Sequence, residues 1–321
     1  LADLSPLGAM RLGIGLAALG RPGYITLDHA AAFGGDRSVA AMRDRTARVL
    51  DAAYAAGIRH VDAARSYGRA ETFLGDWLHC RPDADDVVVS SKWGYTYVGD
   101  WQVDADRHEV KDHSVDAFRR QWAETRALLG DRVRLYQVHS VTPESPVLGD
   151  RELLGELARL REQGVQVGLS TSGAHQSSVV RAALEVEVDG VALFSSVQAT
   201  WNLMEPSVGP ALADAAAAGW WVIVKEVLAN GRLAGVTVPE QLRAVASRAG
   251  TSADALAVAA ALALPASPTV LLGAVTVDQL AGNLGALDVD PAVVANHARG
   301  LDRIAEPADV YWKERSALVW H

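Results

Sequence analysis

Eight short apolar runs, each followed by a stretch with helical spacing, constrain this 321-residue chain more than any other feature. The runs fall at about 11–16, 58–62, 87–92, 133–138, 165–170, 191–198, 220–225 and 269–273. Between them the apolar period lengthens from two to three and four. Leu153, Leu157 and Leu160 lead up to Gly164, and Phe118, Trp122 and Leu129 lead up to Gly130. An Ala-rich pattern over 38–56 stops at Gly57, and the interval before the last run holds two helical patterns, 239–249 and 252–264. Strand-then-helix alternation predicts parallel strands, because a parallel pair needs a crossover long enough for a helix. Eight such units predict a closed (β/α)8 TIM barrel, with a doubly wound open sheet as the alternative architecture. No Gly-, Ser- or Pro-rich linker interrupts the pattern, so one domain over 1–321 is expected. Two segments exceed what a barrel needs: a loop after the third strand, about 93–113, and a tail, about 288–321.

Composition narrows the function classes. Half of the residues are hydrophobic and 21% are charged, which suits a large core. The longest apolar runs, Ala215–Val224 and Ala255–Ala266, fall short of the roughly 18 residues of a membrane span and read as core. Leu1–Met10 lacks the basic cluster of a secretory leader, and a single cysteine, Cys80, fits a reducing compartment, so a cytoplasmic location is expected. A net charge of −9 with no basic stripe disfavours nucleic acid. A small phosphorylated cofactor remains compatible with that charge, since a few backbone N–H groups hold phosphate locally. The histidines show no HExxH or Cys/His ligand spacing, so no metal is expected. Gly13 and Gly15 begin a glycine pattern, but the third glycine of GxGxxG is missing and no helix follows directly.

In a parallel barrel, chemistry gathers at the C-terminal ends of different strands. Those ends carry Asp62, Lys92, His139, Ser170, Gln198 and Lys225, and Tyr67 sits on the loop five residues after Asp62. Two readings of Asp62 and Tyr67 stand on local grounds alone: an acid and a phenol at a catalytic edge, or a helix cap and a packing ring. The quartet of Asp, Tyr, Lys and His is more specific. A phenol with a reference pKa of about 10 exchanges protons poorly at neutral pH. An ammonium beside it favours the phenolate, a carboxylate holds that ammonium, and an imidazole can bond a substrate oxygen. Together they suit protonation of a carbonyl oxygen while its carbon is attacked.

These residues resemble those of the aldo-keto reductase family. Asp62-Ala63-Ala64-Arg65-Ser66-Tyr67-Gly68 matches its D-x-A-x-x-Y-G, Ser91-Lys92 its strand-three lysine and Gln137-Val138-His139 its strand-four histidine. The resemblance runs from Leu12 to Asn283. It implies NADP(H) as cofactor, with NAD(H) second, and Tyr67 as general acid in reduction, tuned by Lys92 and Asp62 while His139 orients the carbonyl. It further implies Ser170 and Gln198 at the nicotinamide carboxamide, with Thr171 where the family has Asn. Lys225 stands where the family stacks an aromatic ring on the nicotinamide. Leu228, Asn230 and Arg232 fall near the pyrophosphate, and Gly273, Gln279 and Asn283 at the adenosine end. Between 273 and 283, around Val275, no Lys or Arg offers itself to a 2′-phosphate.

The expected partner is a small carbonyl compound or sugar. The stretch Trp93-Gly94-Tyr95-Thr96-Tyr97-Val98-Gly99-Asp100-Trp101 reads as a pocket wall, whereas Trp320 reads as an anchor for the tail. The resemblance implies carbonyl reduction, with two alternatives: sugar dehydrogenation in reverse, or a nucleotide-sensing regulatory subunit with little turnover.

Overall fold

A computed structural model describes residues 11–27 and 35–320. The Leu1–Met10 stretch, and Gly34 of the first long loop, lie outside the described residues. The strands are β1 (Leu12–Gly15), β2 (His60–Asp62), β3 (Val88–Trp93), β4 (Tyr95–Tyr97), β5 (Glu109–Lys111), β6 (Val133–Val141), β7 (Gln166–Thr171), β8 (Glu187–Val188), β9 (Val191–Ala192), β10 (Ser196–Thr200), β11 (Trp221–Lys225) and β12 (Thr269–Leu272). Eight of them close in the order β1-β12-β11-β10-β7-β6-β3-β2, every pair parallel. The fold is a (β/α)8 barrel.

The helices are α1 (Val39–Ala55), α2 (Ala70–Cys80), α3 (Val115–Leu129), α4 (Arg151–Glu162), α5 (Gln176–Leu184), α6 (Gly209–Ala217), α7 (Glu240–Arg248), α8 (Ala253–Leu262), α9 (Val277–Leu284), α10 (Pro291–Leu301) and α11 (Ala308–Ser316). Their starts follow from local chemistry. Ser38, Ser114, Asp150, Ser252 and Thr276 each accept a bond from a first-turn N–H through the side chain, a cap worth about 1 kcal/mol. Helix α4 turns Leu153, Leu154, Leu157, Ala158 and Leu160 inward, which is the spacing of its sequence pattern. Helix α8 is buried from Ala255 to Leu262, so the apolar run read as core is core. None of the described helices is long and apolar enough to cross a membrane.

Three segments depart from the sequence reading. The run at 191–198 divides: Val191–Ala192 pairs antiparallel with Glu187–Val188, and the barrel strand begins only at Ser196. The segment after β3 is not a plain loop, since β4 and β5 pair antiparallel within it, with Tyr95 opposite Lys111 and Tyr97 opposite Glu109. The tail holds α10 and α11. It is fastened to the barrel by Tyr311, which is almost fully buried and whose hydroxyl accepts a bond from Asn202 Nδ2 at 2.9 Å.

Candidate active site

The loop after β1 and the loop after β2 are pressed together where the site forms. A Cβ on Gly20 would lie 2.2 Å from the Tyr67 carbonyl oxygen, and one on Gly68, at φ +59°, would lie 2.5 Å from the Gly20 carbonyl oxygen. Only glycine permits this approach, which explains the glycine that closes the Asp62–Gly68 stretch. The backbone is further pinned by Ala63 N to Ser90 O and Arg65 N to Lys92 O, both 2.9 Å. Arg65 also pairs with buried Glu71, whose Oε1 accepts from Ser91 Oγ at 2.6 Å and Thr125 Oγ1 at 2.8 Å. Tyr67 is thus carried on a loop locked to β3 and α3.

Asp62 is the hub of the barrel mouth. One carboxylate oxygen pairs with Lys92 Nζ; the other accepts from Ser90 Oγ at 2.7 Å, Gln198 Nε2 at 3.0 Å and Gln137 Nε2 at 3.4 Å. Lys92 is wholly buried and also donates to the Ala63 carbonyl at 2.9 Å. Its ammonium lies 4.9 Å from the centre of the Tyr67 ring. His139 meets that ring edge-on at 5.5 Å and places Nδ1 3.5 Å from Ser66 Oγ. The structure therefore brings Asp62, Tyr67, Lys92 and His139 together from β2, the loop after it, β3 and β6.

The electrostatics differ from the simple expectation of an ammonium pulling the phenol down. Burial pushes the Tyr67 phenol well above its ordinary value, Asp62 and Tyr24 push the same way, and Arg21 is the cation that opposes them. Burial also lowers Lys92, against the pull of Asp62. His139 is driven well below its usual range, first by burial and then by Lys92, Lys225 and Arg21, so its imidazole is neutral. A neutral imidazole beside a protonated phenol offers two hydrogen-bond donors to one oxygen.

A cavity of about 720 Å3 opens beside this group. Its wall includes Arg21, Tyr24, Tyr95, Glu109 and Trp320, together with Gln198, Lys225, Leu228, Asn230, Gly273, Gln279, Asn283 and Asp254. Arg21 and Glu109, joined at 2.7 Å, were not singled out in the sequence, where neither sits at a barrel-strand end. The aromatic expectation is corrected in two places. Trp93 is fully buried against Phe118 and His113, away from the cavity, and Trp101 packs edge-on against Phe73. Trp320, read as an anchor, lines the cavity and stacks on His108 at 3.9 Å.

The remaining positions divide. Gln198 lines the cavity, but its amide nitrogen is engaged by Asp62. Ser170 does not reach the wall: it is buried, and its hydroxyl accepts from the Ser140 N–H at 2.8 Å, while Thr171 donates to Gln176 Oε1 at 3.1 Å. Ser172 lines the cavity instead. Arg232 lies by a separate cavity of about 310 Å3, paired with Glu306 and Glu314. Lys225 donates to Thr200 Oγ1 at 2.7 Å. Gln279 Oε1 accepts from the Val275 N–H at 2.9 Å, and Asn283 Nδ2 donates to Asp254 Oδ2 at 2.9 Å.

With this geometry established, a sequence profile of the aldo/keto reductase family matches residues 11–299. The chain belongs to the aldo/keto reductase family. Among its curated relatives, the aldo-keto reductase str7 of Strobilurus tenacellus is 32% identical over 134 residues, 41% of this chain and 36% of the relative. A D-threo-aldose 1-dehydrogenase of Pseudomonas sp is 27% identical over 208 residues, 60% of this chain and 62% of the relative. The chain thus spans between about a third and three fifths of the length of these relatives. A solved aldo-keto reductase from Bacillus halodurans, in its holo form, superposes with a TM-score of 0.68 at 20% identity, covering 93% of each chain. The glycerol dehydrogenase of Gluconobacter oxydans superposes with a TM-score of 0.65 at 21% identity, covering 91% of this chain and 92% of its own. These two share the fold. The family profile ends before Tyr311, Arg315 and Trp320, so the tail's contribution to the cavity lies outside it.

Proposed function

We propose that this aldo/keto reductase interconverts a small carbonyl compound and its alcohol with a nicotinamide dinucleotide, Tyr67 moving the proton. The observation that carries the reading is the meeting of Tyr67, His139 and Asp62 on one cavity wall, with buried Lys92 paired to Asp62 and 4.9 Å from the centre of the Tyr67 ring. A dinucleotide fits the arm from Lys225 to Asn283. Asn230 lines that arm with its Oδ1 buried and without a partner among the described residues, and a Cβ on Gly273 would meet nothing within 4 Å. When bound, the nicotinamide supplies or accepts the hydride; the protein supplies the rest.

In reduction the Tyr67 phenol donates its proton to the carbonyl oxygen. Burial and Asp62 keep that proton in place until the oxygen acquires charge. Neutral His139 has Nδ1 toward Ser66, and its Nε2 is the atom that can donate to the same oxygen. Lys92 and Asp62 form a buried ammonium–carboxylate pair beside the ring, and the carboxylate helps to keep the phenol protonated. In alcohol oxidation the same atoms act in reverse.

The substrate class these walls favour is a hydroxylated aldehyde or alcohol such as an aldose. Arg21 and Glu109 offer hydroxyl groups a donor and an acceptor, and Tyr24, Tyr95 and Trp320 offer faces for sugar C–H groups. One curated relative is named an aldose dehydrogenase. At the adenosine end the charged side chain on the wall is Asp254, a carboxylate suited to ribose hydroxyls rather than to a 2′-phosphate. NAD(H) is accordingly favoured over the NADP(H) that family habit implies.

Turnover on a panel of aldehydes and aldoses with each nucleotide tests the reading. Tyr67→Phe is expected to lower kcat by about 10³-fold, within the range of general acid catalysis, and to leave nucleotide Kd almost unchanged. An unchanged kcat would overturn it.

A further inference from the structure

The charged groups on the cavity wall sort into partnered and unpartnered ones. Arg21 pairs with Glu109, Asp62 with Lys92, and Glu226 with Arg315. Among the described wall residues two charges remain without an ion pair: the Lys225 ammonium and the Asp254 carboxylate. Lys225 donates to a neutral hydroxyl, Thr200 Oγ1, which in turn donates to Glu226 Oε2 at 3.1 Å. Both Glu226 oxygens are already taken by Arg315. Glu226 is ion-paired with Arg315 and only feels the Lys225 charge, so the group of Lys225, Glu226 and Arg315 keeps a net positive charge at the cavity.

Lys225 stands on the cavity wall close to the reacting group. It closes β11, two residues after Ile223, which is in register with Gln198. Its charge acts on His139 and feels Lys92 and Asp62. Gln198, on the neighbouring strand, donates to Asp62 and lines the same cavity as Lys225, and the dinucleotide is assigned to the wall residues that follow Lys225 in the chain. A hydride must cross to the carbon whose oxygen Tyr67 and His139 hold, which brings the nicotinamide within reach of the Lys225 charge that already acts on His139.

We propose that Lys225 poises the enzyme toward the reduced carrier, its unneutralised ammonium disfavouring the cationic oxidised ring relative to the neutral reduced one. NADH then binds more tightly than NAD+, and alcohol oxidation is the favoured direction on the enzyme. In that direction the alcohol loses a hydride from carbon to the ring and a proton from oxygen through Tyr67, leaving a carbonyl, NADH and a proton. The inference rests on the dinucleotide reading given above. It gains a pH handle because burial brings Lys225 down to about 8, with Glu226 pulling up and Arg315 and Lys92 pushing down. The other groups around it are Asp62, His139, Thr200 and the Trp312 ring at 5.9 Å.

The test is separate calorimetric titration of the full chain with NADH and with NAD+, at pH 7 and at pH 9.5. At pH 7 a preference of about tenfold for NADH is expected, equivalent to raising the bound two-electron couple by about 30 mV. It should shrink at pH 9.5. Lys225→Met and Lys225→Gln, each checked for native circular dichroism, should bring the ratio near one at both pH values. Lys225→Arg should keep the preference and lose its pH dependence. A preference that survives in the Met and Gln variants overturns the role of Lys225, as does equal binding by the wild type. Failure of the wild type to bind either nucleotide overturns the dinucleotide reading itself, and this inference with it.

Discussion

The guanidinium carbon of Arg21 lies 5.1 Å from the centre of the Tyr67 ring, and 4.9 and 4.6 Å from those of Tyr24 and Trp320. Arg21 is nearly inaccessible, donating to the carbonyls of Ala17 and Ser66 at 3.1 Å and to Glu109. It is the cation that draws the Tyr67 phenol down, against burial and Asp62, and Glu109 pushes the other way. Arg21→Met should therefore raise the phenol's pKa and move the basic-side rise of kcat/KM for alcohol oxidation to higher pH. Glu109→Gln should move it to lower pH. Profiles that shift in the same direction for both variants would remove Arg21 from the tuning of Tyr67.

Lys92 and Asp62 form a buried ion pair, and its cost shows when one partner goes. Removing one member of such a pair leaves an uncompensated charge and costs about 3–5 kcal/mol. Asp62→Asn keeps acceptors for Ser90 and Gln198 but strands the Lys92 ammonium; Lys92→Met strands the carboxylate. Each single variant should lose roughly that much in urea unfolding, and the double variant should lose clearly less than the sum. Additive losses would mean the two charges are not coupled.

Acid stability follows from buried imidazoles. Burial lowers His60 to about 4, with Asp62 pulling up and Lys92 pushing down, and burial lowers His113 to about 4 against its bond to the His139 carbonyl. A histidine whose folded pKa lies below its unfolded value of about 6.5 binds its proton more readily in the unfolded chain. Its stabilising contribution is full above pH 6.5 and is lost as pH falls toward 4, up to about 3 kcal/mol for fully buried His60. Glu226, which burial would raise but Arg315 and Lys225 bring down to about 2, loses its contribution lower still, from about 4.5 toward 2. Urea unfolding should show stability falling steadily from pH 6.5 to 4, and His60→Gln should flatten the upper part of that fall. A pH-independent midpoint over that window would contradict the burial of neutral His60.

The barrel was legible because alternation of strand and helix is a period signal, carried by residues such as Leu153, Leu157 and Leu160 that all face the core. The quartet was legible because strand ends are fixed by the same signal. Arg21 and Glu109 were not: they reach Tyr67 from a loop and from the β4–β5 hairpin, and loop geometry leaves no period in sequence. Trp93 and Trp320 exchanged roles for a related reason. Trp93 ends a barrel strand and turns outward beneath α3, while Trp320 returns with a tail whose path depends on the Tyr311–Asn202 contact. Arg232 and Ser170 satisfied a motif, but Glu306 and Glu314 hold the one and the Ser140 backbone the other.

Nucleotide choice should turn on Asp254. It sits near the start of α8, after the Ser252 cap, and its Oδ2 accepts from Asn283 Nδ2 at 2.9 Å. A Cβ on Gly282 would lie 3.3 Å from the same oxygen, so α9 carries glycine where it faces this carboxylate. No Lys or Arg among the described residues of this part of the wall balances it. A 2′-phosphate brought here would meet a like charge, whereas a ribose hydroxyl would find an acceptor. Asp254→Ser should leave the NADH Kd within about threefold and tighten NADPH about tenfold, near 1.4 kcal/mol, with the gain largest at low ionic strength because charge repulsion is screened by salt. Asp254→Lys should go further and reverse the preference. Fluorescence titration of each variant with both nucleotides gives the ratio directly, and a ratio unmoved by either substitution would place the adenosine phosphate away from α8.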